Sequence, residues 1–322
     1  MPALQHRFVQ TNGIRMHVAE HGDGPLVVLC HGFPESWYSW RHQLNALADA
    51  GYRAVAPDMR GYGQTEAPSA IGDYSMLHLV GDIVGLVQAL GAATAVVVGH
   101  DWGAPVAWHC ALLRPDLFAG VAALSVPFRG RGPVRPTTTM PQTDDTFYYQ
   151  LYFQQPGSAE RELAADVRRT LRTVLYGASG DAPASQQMTM VPRGGGFLSS
   201  LVDPTELPAW LRPEDLDFYV SEFERTGFSG GLNWYRNIDR NWELLAPYAG
   251  ARVTVPALFV AGDRDQVVTN PAAQKVIARL AEPVPRLQRV LMLPGCGHWT
   301  QQERPRAVND ALIDFLRGVH RA

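Results

Sequence analysis

The sequence predicts an α/β fold, a mostly parallel sheet flanked by helices, with a helical cap inserted between its two parts. Two observations carry this. Fully apolar runs such as Pro25-Leu26-Val27-Val28-Leu29-Cys30 and Ala95-Val96-Val97-Val98 alternate with helical periods, and a strand apolar on both faces belongs in a sheet covered on both sides. The alternation then stops after Pro127 and returns at Val255, so the chain leaves the sheet and comes back to it.

Taken in order, residues 14–20 alternate as a strand and turn at Gly22-Asp23-Gly24 into the run that ends at Cys30. Residues 36–50 read as a helix ended by Gly51, and residues 53–56 as the next short strand. A helix over 76–90 leads to the 95–98 strand, and 102–113 follows as a helix stopped before Pro115. Residues 121–126 form another strand. The stretch 128–141, rich in Arg, Gly, Pro and Thr, suits a linker leaving the sheet. Beyond it lie helical periods over 160–176, 213–224 and 231–241, no strong strands, and a flexible joint at Gly194-Gly195-Gly196. Strands resume over 255–260 and 289–293, and a closing helix covers 305–317. The predicted organisation is a first core segment over 1–128, a cap over 129–248 and a second core segment over 249–322.

Composition bounds the function. A chain of 322 residues that is 46% hydrophobic and 18% charged fits a globular protein with a sizeable core. Its net charge of −3 gives no electrostatic case for nucleic acid or an anionic membrane as partner. The 3 cysteines show neither Cys-x-x-Cys nor metal-ligand spacing, so no metal site and no disulfide framework are expected. Residues 1–11 lack the apolar core of a signal peptide, and no run approaches the ~18 apolar residues of a membrane span. A cytoplasmic location is the expectation, and nothing in the composition argues against a homodimer.

The segment Gly99-His100-Asp101-Trp102-Gly103 follows an apolar strand and precedes a helix. That is the pattern of a nucleophile elbow, a strained strand-to-helix turn presenting one reactive side chain above a sheet. Here the occupant is Asp101 where Ser is usual. A carboxylate attacking an acyl group gives an anhydride, a poor intermediate for ester or amide hydrolysis. Attack on a saturated carbon gives an alkyl ester that water can cleave. Asp101 therefore points to epoxide opening or halide displacement. A base must activate that water, and an acid must orient the base. Asp265, with Asp263 beside it, follows one later strand, and His298 follows the next within Gly295-Cys296-Gly297-His298-Trp299. Of the two acids Asp265 is the better partner for His298, and Asp263 is read as bracing the turn. His31-Gly32-Phe33-Pro34 is a turn able to aim a backbone N–H into the site, so Phe33 and Trp102 are the expected oxyanion-hole donors. His31 and His100 read as structural.

These pieces resemble the epoxide hydrolases of the α/β-hydrolase superfamily over nearly the whole chain. The resemblance rests on His31-Gly32-Phe33-Pro34-Glu35-Ser36-Trp37, Pro57-Asp58-Met59-Arg60-Gly61-Tyr62-Gly63, the elbow, Gly297-His298-Trp299-Thr300, and two cap segments. Those segments are Tyr149-Gln150-Leu151-Tyr152-Phe153-Gln154 and Leu232-Asn233-Trp234-Tyr235-Arg236-Asn237. The resemblance implies an α/β-hydrolase core with a cap, an apolar epoxide as substrate, no cofactor, and two cap tyrosines facing the nucleophile at Tyr149 and Tyr235. Tyr148 and Tyr152 are alternatives for the first. The chemistry agrees: an opening epoxide develops an alkoxide, and a phenol with pKa near ~10 is protonated at neutral pH and can meet it. A departing halide needs no such proton. A haloalkane dehalogenase with the same Asp nucleophile is the competing reading.

Overall fold

The computed structural model describes residues 4–183 and 189–321. Among the described residues ten strands are formed: β1 Gln5–Thr11, β2 Ile14–His21, β3 Leu26–Cys30, β4 Arg53–Pro57, β5 Ala95–His100, β6 Phe118–Leu124, β7 Thr146–Tyr148, β8 Met190–Pro192, β9 Ala257–Gly262 and β10 Leu287–Leu293. Eight of them build one sheet in the order β1-β2-β4-β3-β5-β6-β9-β10. From β4 to β10 the neighbours are parallel, while β2 pairs antiparallel with both β1 and β4. β3 and β5, the apolar runs that announce the sheet, are buried throughout and occupy its centre. Two apolar clusters pack on the two faces, one of them continuous with the residues between β6 and β9. Among the described residues no helix is long and apolar enough to cross a membrane.

Departures from the sequence reading have local causes. β1 was not expected, because it exposes most of its residues and shows no apolar run. β6 begins earlier than the predicted strand and ends at Leu124, where Ser125 turns at φ 69° and gives its N–H to the Val260 carbonyl. The predicted 160–176 helix is two, Ser158–Ala164 and Val167–Gly177, because the Asp166 side chain accepts from the Arg169 N–H and starts a new helix. The predicted 231–241 helix is likewise Ser229–Arg236 and Ile238–Leu244, broken at Asn237, whose side chain donates to the Ile71 and Asn233 carbonyls. β7 and β8 pair antiparallel, and at three residues each they are too short to show a period. The helix predicted from residue 36 opens as a short 3-10 turn, Trp37–Trp40, before Arg41–Asp49.

The segment between β6 and β9 lies over the loops at the ends of the central strands and is fastened to them by polar contacts. Trp234 Nε1 donates to the Arg60 carbonyl at 3.1 Å, Arg225 to the Gly63 carbonyl at 2.7 Å, and the Tyr38 hydroxyl to Asp215 at 2.8 Å. Beneath it the elbow is set by a backbone contact: a Cβ on Gly103 would lie 2.1 Å from the Cys30 carbonyl oxygen and 2.8 Å from that of His31. Neither oxygen belongs to a side chain that could swing away. Gly103→Ala is therefore expected to cost about 3 kcal/mol or more, at the upper end for overpacking. Urea unfolding checks this, and a loss below about 1 kcal/mol would show that the elbow can yield.

Candidate active site

Asp101 stands directly after β5 at φ 50°, a left-handed conformation that Asp tolerates better than most residues. Trp102 and the helix Gly103–Leu113 follow, so the side chain projects from the end of a central strand, where open α/β sheets place their sites. Its Oδ1 accepts the Phe33 N–H at 2.8 Å. Gly32 makes that approach possible, since a Cβ there would sit 2.3 Å from Oδ1. Trp102 begins the helix, so its N–H has no helical partner, and among the described residues it does not donate to the Asp101 carboxylate. Of the two expected oxyanion donors, then, Phe33 already contacts the nucleophile.

On the other side Asp101 Oδ2 lies 3.3 Å from His298 Nε2, and His298 Nδ1 lies 3.0 Å from Asp265 Oδ2. Asp265 Oδ1 accepts the Val267 N–H at 2.8 Å, which fixes the acid on its turn. Asp263 instead accepts the Gly295 N–H at 2.8 Å and braces the histidine loop from an exposed position. Burial opposes charge on Asp101, but His298, His100 and the Phe33 N–H outweigh it and hold its pKa below the usual carboxylate range. Burial likewise works against a charged His298, yet Asp265 and Asp101 lift it well above the ordinary imidazole value. Both shifts favour the charged pair of Asp101 and His298.

The segment between β6 and β9 brings its phenols to the same place. Tyr149 opens the short helix Tyr149–Tyr152 directly after β7, and Tyr235 lies in the helix Ser229–Arg236. Their rings meet at 6.0 Å, Tyr235 sits edge-on to Trp102 at 5.1 Å and to Phe33 at 5.6 Å, and Phe153 packs on both tyrosines. Burial raises both phenols well above their usual value, with Tyr148 and Asp101 adding to the rise at Tyr149 and Tyr149 and Asp101 adding to it at Tyr235, so they stay protonated. Gln150 Nε2 donates to the Tyr149 oxygen at 3.1 Å, and the Tyr149 hydroxyl hydrogen-bonds Tyr148. Tyr152 faces Glu162 and Arg161, and its pKa rises to about 12 through burial and that carboxylate. Tyr148 lies beside Tyr149 with the two rings tilted at 4.8 Å, and burial raises its pKa as well. Among the described residues no three His, Cys, Asp or Glu side chains are grouped as metal ligands, and the three cysteines are buried and free.

Sequence reasoning missed what holds the loops in place. His31 does serve structure, its ring between the Gly32 carbonyl and the Met59 N–H. His100 bridges Glu35 at 2.8 Å and the His298 carbonyl at 2.7 Å, and Ser125 Oγ donates to that same carbonyl at 2.8 Å. Glu35 is completely buried. A charged residue inside the Phe33-Pro34-Glu35-Ser36-Trp37 turn, bounded by aromatics, was the one available signal. Ser125 gave none.

Comparison with known proteins agrees with this geometry. A family model for the alpha/beta hydrolase fold matches residues 25–187. The chain is 49% identical to epoxide hydrolase A of Mycobacterium tuberculosis, with 99% of each chain covered, and 42% identical to epoxide hydrolase 3 of Siraitia grosvenorii, covering 98% of this chain and 99% of that one. Among solved structures, an epoxide hydrolase from an endophytic Streptomyces superposes with a TM-score of 0.96 at 47% identity, covering 99% of this chain and 97% of the other. None of these relatives favours the dehalogenase alternative. An Asp at a nucleophile elbow, a His–Asp pair beside it and full-length likeness to these enzymes lead to one statement: the chain belongs to the epoxide hydrolases of the α/β-hydrolase fold.

Proposed function

We propose that the protein hydrolyses an apolar epoxide to a vicinal diol through a covalent ester on Asp101, with residues 129–248 serving as the cap that carries the acid groups. The observation that supports this most directly is the placement of Asp101, with Oδ1 on the Phe33 N–H and Oδ2 toward His298. Oδ2 attacks an epoxide carbon while Tyr149 and Tyr235 hydrogen-bond the ring oxygen, and one phenol gives its proton as the C–O bond breaks. The Asp101 charge disappears as the ester forms. His298 then loses one of the two carboxylates that keep it protonated, and its proton restores the phenol. The neutral imidazole, oriented by Asp265, takes a proton from water as the water attacks the ester carbonyl. The oxyanion grows on Oδ1, where the Phe33 and Trp102 N–H groups meet it; collapse breaks the bond from Cγ to the alkoxide oxygen, which takes the proton of the new carboxyl, so the diol leaves and the Asp101 carboxylate is restored. Phe33, Trp102 and Phe153 around the tyrosines suit an apolar substrate.

The first test is product formation on terminal, aryl and fatty epoxides beside matched chloroalkanes, with diol and no halide expected. Asp101→Ala should abolish turnover. His298→Gln should trap the ester, seen by intact mass as enzyme plus substrate, and an unmodified protein with a proven substrate would contradict the order of steps. Replacing Tyr149 and Tyr235 together with Phe should slow ring opening by about 10²-fold or more, each alone by less. A double variant of undiminished rate would remove the acid assignment.

A pH prediction follows from the carboxylates around His298. Asp265 and Asp101 raise its pKa in the free enzyme, and esterification removes the Asp101 contribution. The apparent pKa for ester hydrolysis, from single-turnover decay, should therefore fall below that of His298 titrated by NMR in the free protein. Equal or higher values would overturn this account.

A further inference from the structure

We propose that Glu303 is a positioning residue for the hydrolytic half of the reaction, locking the His298 loop and the cap into one unit. The inference rests on the two-step reading above. Glu303 ends the short helix Thr300–Glu303 and is 6% exposed. Its Oε2 accepts the Gly297 N–H at 2.8 Å and the Gly180 N–H at 2.9 Å, and its Oε1 accepts the Trp299 N–H at 3.1 Å. Gly297 and Trp299 are the chain neighbours of His298, and Gly180 follows the cap helix Val167–Gly177. One carboxylate therefore grips the backbone on both sides of the base and, with the same oxygens, the end of a cap helix.

The contacts around it run between the same two segments. The His298 N–H donates to the Ala178 carbonyl at 2.8 Å, Trp299 Nε1 to the Leu175 carbonyl at 2.7 Å, and Arg264 to the Gly180 carbonyl at 2.8 Å. Backbone lies directly on backbone here: a Cβ on Gly297 would fall 2.2 Å from the Gly180 nitrogen, and one on Gly180 would fall 2.5 Å from the Gly295 oxygen. Burial raises the Glu303 carboxyl, and the three N–H groups oppose that rise. No other acceptor replaces it for those N–H groups, since each is buried against the partner segment.

The consequence separates the two half-reactions. Ring opening uses Asp101 and the phenols, whereas ester hydrolysis needs the His298 ring aimed at a water. Displacement of a catalytic group by about 1 Å costs on the order of 10²-fold. Glu303→Gln keeps the shape but turns one oxygen into an NH2 group that must face N–H donors. Its ester-hydrolysis rate constant should fall about 10- to 100-fold, while the ring-opening constant stays within about threefold. The ester then accumulates, and kcat and KM fall together, as a slowed second step requires. A residue that serves folding alone would lower the active fraction and leave KM and the steady-state ester fraction at wild-type values. That result overturns the proposal.

Arg264→Gln provides a second reading from an exposed side chain that does not threaten folding, with a change of about two- to fivefold in the same direction. If Glu303→Gln does not fold, an unchanged ester fraction in Arg264→Gln overturns the proposal on its own. His298→Gln is measured alongside. Absence of ester in that variant means that the two-step reading has failed. Ester trapped there, but not enriched in the Glu303 and Arg264 variants, means that the positioning role alone has failed.

Discussion

Four polar groups converge on the buried Glu35 carboxyl, and the loops around Asp101 and His298 hold their spacing because of it. Oε2 accepts the Gly32 N–H at 3.2 Å and lies 2.8 Å from His100 Nδ1, and Oε1 accepts from the Gln301 and Gln302 amides at 3.0 and 2.9 Å. Stripping a carboxylate of water costs several kcal/mol unless its acceptor sites are filled, and a carboxylate offers about four of them. Gly32 lies beside the Phe33 N–H, His100 beside the nucleophile, and the two glutamines just beyond the base. If any of these loops moved away, the buried charge would lose a donor it cannot replace. Gln302 extends the arrangement, accepting from Arg41 at 2.7 Å and the Tyr219 hydroxyl at 3.0 Å, and so reaches the cap helix Pro213–Thr226.

Within that frame the charge on Asp101 acts on several of its neighbours at once. It helps to raise the imidazole beside it and also the two phenols across from it. The outcomes suit different tasks: a cation that steadies the nucleophile, and acids that keep their protons until the ring oxygen needs one. Burial acts in opposite senses on the two kinds of group. It disfavours the imidazolium, which needs both carboxylates to persist, and it favours the neutral phenol outright.

Much of this was legible in the sequence, for reasons that differ between elements. The central strands were readable because both faces are buried and their apolar runs have no competing period. Asp101, Asp265 and His298 were readable as the proposed nucleophile, acid and base because each follows a strand, and chain order makes that spacing informative. Tyr149 and Tyr235 were not readable from composition or period, since 11 tyrosines offered no local distinction; resemblance in the flanking segments selected them. β1 escaped notice because it is exposed, and the breaks at Asp166 and Asn237 because an apolar stripe continues across a cap that interrupts it. Glu35, Ser125 and Glu303 escaped notice for a deeper reason. Each has decisive partners far along the chain, His100, Gln301 and Gln302 for Glu35, His298 for Ser125 and Gly180 for Glu303, and no local pattern encodes a long-range hydrogen bond.

The remaining question is how two separate parts of the chain, one bearing the acids and one the base, keep register with each other. Apolar contact alone does not achieve this. The rings of Phe33, Phe153, Phe197 and Tyr235 hold the cap close to the core, but burial of apolar area has no direction and tolerates sliding. Hydrogen bonds to fixed backbone groups do not tolerate it, because their strength falls steeply with angle and distance. The segment between β6 and β9 is accordingly fastened by directional bonds, from Trp234 to Arg60, Arg225 to Gly63 and His298 to Ala178. The apolar cluster supplies most of the cohesion, and these polar contacts choose one position among the many that would bury the same surface.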